Sequence, residues 1–305
     1  MPQMLRNLGY YTFGVGKMHW FPQKALHGFH TTLIDESGRV ESKDFISDYR
    51  EWFQLHAPGE NPDLTGIGWN AHGAGIYKLP EKLHPTAWTG QTACELIRNY
   101  NCDKPLFLKV SFARPHSPYD PPKRYLDMYK NADIPKPSVG DWCGKYAERL
   151  DPEKVAPDAP FGNFGDEYAV KSRRDYYANI AVLKERGMYD NAVICFTADH
   201  GDMLGDHFHW RKTYPYEGST HIPYIVKWPA GMYKKVPLGA RIEQPVELRD
   251  FLPTFIELAG GAVPPDMDGK SLLKLVQGQE SEWRKYLDME HATCYSQDNY
   301  WCALT

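Results

Sequence analysis

Three apolar runs in this chain end abruptly in polar, glycine- or proline-bearing loops, and that pattern constrains the fold more than any other feature. Residues 10–15 alternate aromatic or β-branched side chains with small ones, residues 106–112 are almost continuously apolar, and so are residues 192–197. Such runs read as buried strands of a sheet covered on both faces. A further strand is expected over residues 223–228. Helical spacing accompanies them. Met4, Leu5 and Leu8 precede a stop at Gly9, and residues 88–100 carry Ala93, Leu96 and Ile97 behind Thr86 or Thr89 as N-cap. Residues 174–186 read as a helix, as do residues 250–259, with Pro253 in the first turn and Gly260 and Gly261 at the end. Helices alternating with apolar strands define an α/β fold, a mostly parallel sheet with helices on both faces. With no internal repeat and no evident linker, residues 1–305 read as one domain. Residues 21–85, rich in Gly, His, Trp and Asp, read as long loops with short elements.

Composition removes several classes of function. Thirty-five Lys plus Arg against 39 Asp plus Glu give a net charge of −4, which argues against a basic nucleic-acid-binding surface. No run approaches the roughly 20 apolar residues needed to cross a bilayer, and residues 1–9 lack the apolar block of a secretory signal. The six cysteines form no C-x-x-C pair and leave the redox compartment open.

Chemistry-bearing residues concentrate where the strands end. Lys17 and His19 follow the first strand, His116 sits in the Pro-rich loop after the second, and Asp199 and His200, with Lys212 further on, follow the third. The fold brings strand ends of this kind to one edge of the sheet. Lys17 and His19 are two apart, which in an extended segment puts both side chains on one side. Two lysines, two or three histidines and hard carboxylate oxygens suit a tetrahedral oxyanion and a divalent cation.

The order of these segments resembles the type I sulfatases of the alkaline-phosphatase-like superfamily. Leu8-Gly-Tyr-Tyr-Thr-Phe-Gly-Val-Gly-Lys-Met-His19 is similar to the second sulfatase signature, and Phe112-Ala-Arg-Pro-His-Ser-Pro-Tyr119 to the family's Pro-His-x-Pro-Tyr loop. Phe196-Thr-Ala-Asp-His-Gly-Asp-Met-Leu-Gly-Asp-His207 resembles its metal-binding strand end. Leu252-Pro-Thr-Phe-Ile-Glu-Leu-Ala-Gly260 and Asp268-Gly-Lys-Ser-Leu272 fit later segments.

The resemblance implies hydrolysis of sulfate monoesters, carbohydrate sulfates ahead of small aryl or choline esters. It makes Asp199 a ligand of one calcium ion, His200 a neighbouring group on the metal or the sulfate, and Lys17 and Lys212 holders of sulfate oxygens. His19 would assist sulfate release, and His116 would protonate the departing alcohol. The expected partner is a sulfated small molecule or glycan, with no nucleic acid or membrane, in a periplasmic or secreted setting. The family's nucleophile is a formylglycine made from a Cys/Ser-x-Pro-x-Arg segment, and neither that segment nor the first-strand Asp pair occurs here. The implied domain is therefore incomplete: it lacks the N-terminal nucleophile segment and the C-terminal subdomain, its helix near residues 176–187 is short, and one sheet edge lacks its neighbour. Calcium should then bind weakly. Two other readings stand beside this one: a phosphodiesterase or phosphonate monoester hydrolase of the same superfamily, and a non-catalytic sulfate- or glycan-binding relative.

Overall fold

The computed structural model describes residues 1–36, 42–184, 192–232, 236, 238–279, 282–292 and 301–304. In chain order the first elements are α1 (Pro2–Asn7), β1 (Tyr11–Gly16), β2 (Thr31–Ile34), α2 (Asp48–His56), α3 (Pro85–Asn99) and β3 (Leu106–Ser111). Then come α4 (Lys123–Met128), α5 (Asp166–Lys184), β4 (Ile194–Thr197), α6 (Glu217–Thr220) and β5 (Tyr224–Lys227). The last are α7 (Phe251–Leu258), α8 (Leu273–Val276), β6 (Asp288–His291) and β7 (Trp301–Leu304).

β1 is the centre of a three-stranded parallel sheet of order β2-β1-β3. Its register runs from Tyr11 opposite Leu106 to Gly16 opposite Ser111 on one side, and from Phe13 opposite Thr31 to Gly16 opposite Ile34 on the other. Alternation along β3 sorts its side chains between two faces. Leu106, Leu108 and Val110 pack with Phe13, Val15 and Ala93, which puts α3 on one face. Phe107 points the other way and meets Phe255 of α7 edge-on, with ring centroids 6.1 Å apart. Helices thus cover both faces, as the sequence pattern implies. β4 and β5 form a separate antiparallel ribbon, and β6 pairs with β7 in another. Among the described residues β3 pairs only with β1 and β4 only with β5.

Two local expectations need correction, the cap of α3 and the start of α5. α3 is capped by His84, whose ring nitrogen accepts the Thr86 N–H at 3.3 Å, while Thr86 and Thr89 are buried inside the helix. Burial holds that imidazole neutral, well below its usual pKa, so it can act as an acceptor. The short elements expected within residues 21–85 are β2 and the nine-residue α2, whose Tyr49 and Phe53, with the C-cap Ala57, recur every four residues and pack against Leu83 and Trp88. α5 starts at Asp166, eight residues before the expected start, because Ala169 and Ser172 also face inward. Its expected end at residue 186, and part of the expected shortening, lie outside the described residues.

The junction of β1 and β3 leaves no slack. Gly16 has φ +93°, and a Cβ there would stand 1.9 Å from the Ser111 carbonyl oxygen. Gly16→Ala should therefore destabilise the protein by at least about 2 kcal/mol, from both the left-handed backbone and the clash. Gly59, at φ +83° with nothing within 4 Å of its added Cβ, isolates the backbone part. Urea unfolding should rank Gly16→Ala well below Gly59→Ala, and equal losses would contradict this account of the junction.

Candidate active site

Each predicted residue lies in a loop that follows a strand, Lys17, His19, Asp199 and His200 close to the strand end and Lys212 further along the loop after β4. After Gly16 the Lys17 N–H makes one more rung to Ser111 O at 2.7 Å, and the chain then leaves the sheet. It does not stay extended: His19 has φ +61°, and the Met18 and His19 N–H groups both donate to Glu36 Oε1, the first at 2.6 Å. Lys17 and His19 share a pocket because the chain turns, not because strand alternation aligns them. The Lys17 ammonium pairs with Asp199 Oδ2 at 3.1 Å across 182 residues of sequence.

The loop after β3 is braced from within. Arg114 and Asp120, 4% and 1% exposed, form a buried ion pair at 2.8 Å. Ser117 Oγ donates to Ala71 O, and Tyr119 Oη donates to Asp202 Oδ2 at 2.8 Å. Asp202 also accepts the Leu204 and Arg211 N–H groups, so it joins this loop to the one after β4 and sets the backbone next to Lys212. That loop is tight as well: Gly201 N–H donates to Ser219 O, and a Cβ on Gly201 would meet Gly218 O at 2.2 Å. His116 Nδ1 lies 3.0 Å from its neighbour's carbonyl, Ser117 O, and His200 Nδ1 lies 2.7 Å from Gly201 O. Both contacts assign the proton to Nδ1 and leave Nε2 as the acceptor. His116 Nε2 accepts from the Lys212 ammonium at 2.8 Å, and His200 Nε2 is 3.7 Å from Asp199 Oδ2.

Lys17, His19, His116 and Lys212 line a solvent-open cleft, and Asp199 and His200 adjoin it through Lys17 and the His116 ring. Charges in the cleft are strongly coupled. Burial, reinforced by the Lys212 charge, pushes the His116 pKa down to about 2, so its imidazole is neutral at pH 7. Burial and the like charge of Lys17 lower Lys212 to about 8. Burial opposes ionisation of Asp199, but His200 and Lys17 outweigh it and hold the carboxyl at about 2. The Asp199 side chain is still 63% exposed, so solvent screens part of that pairing.

Four lining residues were not singled out by the sequence: Asp35, Glu36, Trp69 and Asn70. Asp35 and Glu36 follow β2, another strand ending in polar residues, but four residues between loops give little periodic signal. Trp69 and Asn70 sit in a glycine-rich stretch with no periodicity; the Arg114 guanidinium lies 5.1 Å from the Trp69 ring centroid. The described residues do not complete a calcium site. Asp199 and His200 offer two ligands where that ion takes six or more, Asp199 is engaged by Lys17, and no group of three His, Cys, Asp or Glu is placed to hold a metal.

A parallel sheet covered by helices on both faces, with its site in the loops that follow the strands, defines an α/β fold. The sequence pattern of the family described as Sulfatase matches residues 1–262, and the chain belongs to that family. It is 34% identical to an arylsulfatase from Clostridium perfringens, over 96% of this chain and 65% of the relative. It is 31% identical to a choline-sulfatase from Rhizobium meliloti, over 90% of this chain and 56% of the relative. The phosphonate monoester hydrolase of Agrobacterium radiobacter superposes with a TM-score of 0.73 at 20% identity, covering 98% of this chain and 66% of that one. The chain thus spans about two thirds or less of the length of these relatives.

The lowered Lys212 pKa gives a signed expectation. The ammonium is present below about pH 8 and is lost as pH rises through that value. Affinity for inorganic sulfate should therefore fall above about pH 8, by up to about tenfold per unit, and Lys212→Met should remove that dependence. Calorimetric titration of residues 1–305 across this range checks it; an affinity unchanged to about pH 9.5 would contradict the role given to Lys212.

Proposed function

We propose that the protein containing this chain hydrolyses sulfate monoesters, with carbohydrate sulfates as the preferred class. The observation that carries the reading is that Lys17 and Lys212, 195 residues apart in sequence, line one cleft with His116. Like charges are brought together this way only where an anion or carboxylates offset their repulsion. Lys17 and Lys212 would hold two sulfate oxygens as point charges. The Lys212 ammonium donates to the neutral His116 ring at Nε2, so the proton for a departing alcohol oxygen would come from Lys212, with His116 orienting it, rather than from His116 itself. His19 would assist release of the bound sulfate. Trp69, Asn70, Asp35 and Glu36, which line the same cleft, combine an aromatic face with hydroxyl-accepting oxygens, which suits a sugar ring better than an unsubstituted aryl group.

When bound, calcium would polarise a sulfate oxygen, and a formylglycine would supply the nucleophile. The described residues do not complete the first, and the sequence contains no signature for the second. The second reading, action on a phosphonate or phosphodiester, is favoured by the likeness to the phosphonate monoester hydrolase fold, because both substrates present tetrahedral oxyanions.

Activity screening of a longer protein that carries a Cys/Ser-x-Pro-x-Arg segment ahead of this chain separates the two. Sulfated sugars should be cleaved faster than aryl sulfate and phosphonate esters; cleavage of phosphorus esters alone would select the second reading. In that protein Lys17→Ala and Lys212→Ala should each lower kcat/KM by at least about tenfold, the scale of one desolvated charge contact. Unchanged kcat/KM would sink the assigned roles. Residues 1–305 alone should give no multiple turnover of a chromogenic aryl sulfate, and sustained turnover would show that the site uses a nucleophile among these residues.

A further inference from the structure

We infer that Glu36 is a positioning residue of this cleft: its carboxylate fixes the turn at Lys17, Met18 and His19 that aims Lys17 and His19 at a bound anion. The inference rests on the oxyanion reading of the cleft proposed above.

A carboxylate is out of place on the wall of an anion pocket, because it repels the ligand that the lysines attract. Glu36 is nevertheless only 5% exposed and lines the same cleft as Lys17, His19, His116 and Lys212. The backbone supplies a reason. Both neighbouring strands end here: Asp35 N–H reaches Gly16 O at 3.1 Å, Lys17 N–H reaches Ser111 O at 2.7 Å, and the ladder then has no further rung for the next two N–H groups. Met18, 7% exposed, would be left with a buried donor, and the His19 N–H beside it would lose its ladder partner. A single oxygen, Glu36 Oε1, accepts both. Two donors converging on one acceptor fix the relative orientation of consecutive peptide planes, and His19 adopts φ +61° there without being glycine. The side chains on either side of Met18 are Lys17 and His19. Their direction into the cleft follows from that turn.

A counter-ion to Lys17 would be the simpler role for a buried carboxylate, and the two roles are separable by chemistry. Glu36→Gln keeps an acceptor oxygen and loses the charge. Glu36→Met keeps the shape and loses the acceptor. The readout is the affinity of residues 1–305 for inorganic sulfate by calorimetry, with thermal melting run on every variant. Positioning predicts that Glu36→Gln binds sulfate as tightly as the unmodified chain or more tightly, since a repelling charge is gone. It predicts that Glu36→Met binds at least about tenfold more weakly while still melting cooperatively. A Glu36→Met protein that binds sulfate normally overturns the inference and leaves the anion pocket standing. Tenfold weaker binding by Glu36→Gln also overturns it, because the charge and not the acceptor would then be what counts, and this arm decides the matter even if Glu36→Met fails to fold. An unmodified chain with no affinity for sulfate overturns the oxyanion reading itself, and the inference with it.

Discussion

Holding two lysines in one cleft is the constraint on which the rest of the site depends. Lys17 and Lys212 repel each other, and burial together with the Lys17 charge lowers the Lys212 pKa. The molecule answers with acceptors placed one per cation: Asp199 on Lys17 at 3.1 Å and the neutral His116 ring on Lys212 at 2.8 Å. Neither acceptor saturates the ammonium it meets, since a lysine has three donors. The remaining donors are what an oxyanion would use.

Rigidity at the strand ends keeps those groups from collapsing onto one another. Gly16 and Gly201 each sit where no Cβ fits, so the loops carrying Lys17 and His200 leave their strands along fixed paths. Asp202 and Arg114 act further back. Asp202 ties Tyr119 to the backbone at Leu204 and Arg211, and the Arg114–Asp120 pair braces the loop that carries His116. Breaking a buried pair of this kind costs about 3–5 kcal/mol when one partner is left charged. The cleft is therefore built from residues that never face it as much as from those that do.

The parts of this architecture visible in the sequence are those with a periodic or residue-type signal. β1, β3 and β4 announced themselves as apolar runs, and Lys17, His19, His116, Asp199, His200 and Lys212 as polar residues in the loops that follow them. β2 did not, because four residues among loops give periodicity nothing to act on, and with β2 went Asp35 and Glu36. The helix α2 carried its Tyr49, Phe53 and Ala57 stripe in plain view, but a Gly- and His-rich setting masked it. The cap of α3 was misjudged for a physical reason: a fully buried neutral imidazole accepts the N–H that a threonine hydroxyl was expected to take. Trp69 and Asn70 reach the cleft through tertiary packing alone, which no local pattern records.

Central to all of this is the claim that the strand ends form one site for a tetrahedral oxyanion. Crystals of residues 1–305 soaked in tungstate test it directly, since the ion is tetrahedral and scatters anomalously. The account predicts an anomalous peak in the cleft, within hydrogen-bond distance of the Lys17 and Lys212 ammonium groups and beside His116, with His116 still turned toward Lys212. A cleft left empty at saturating tungstate, with ordered anion only at other surfaces, would contradict it.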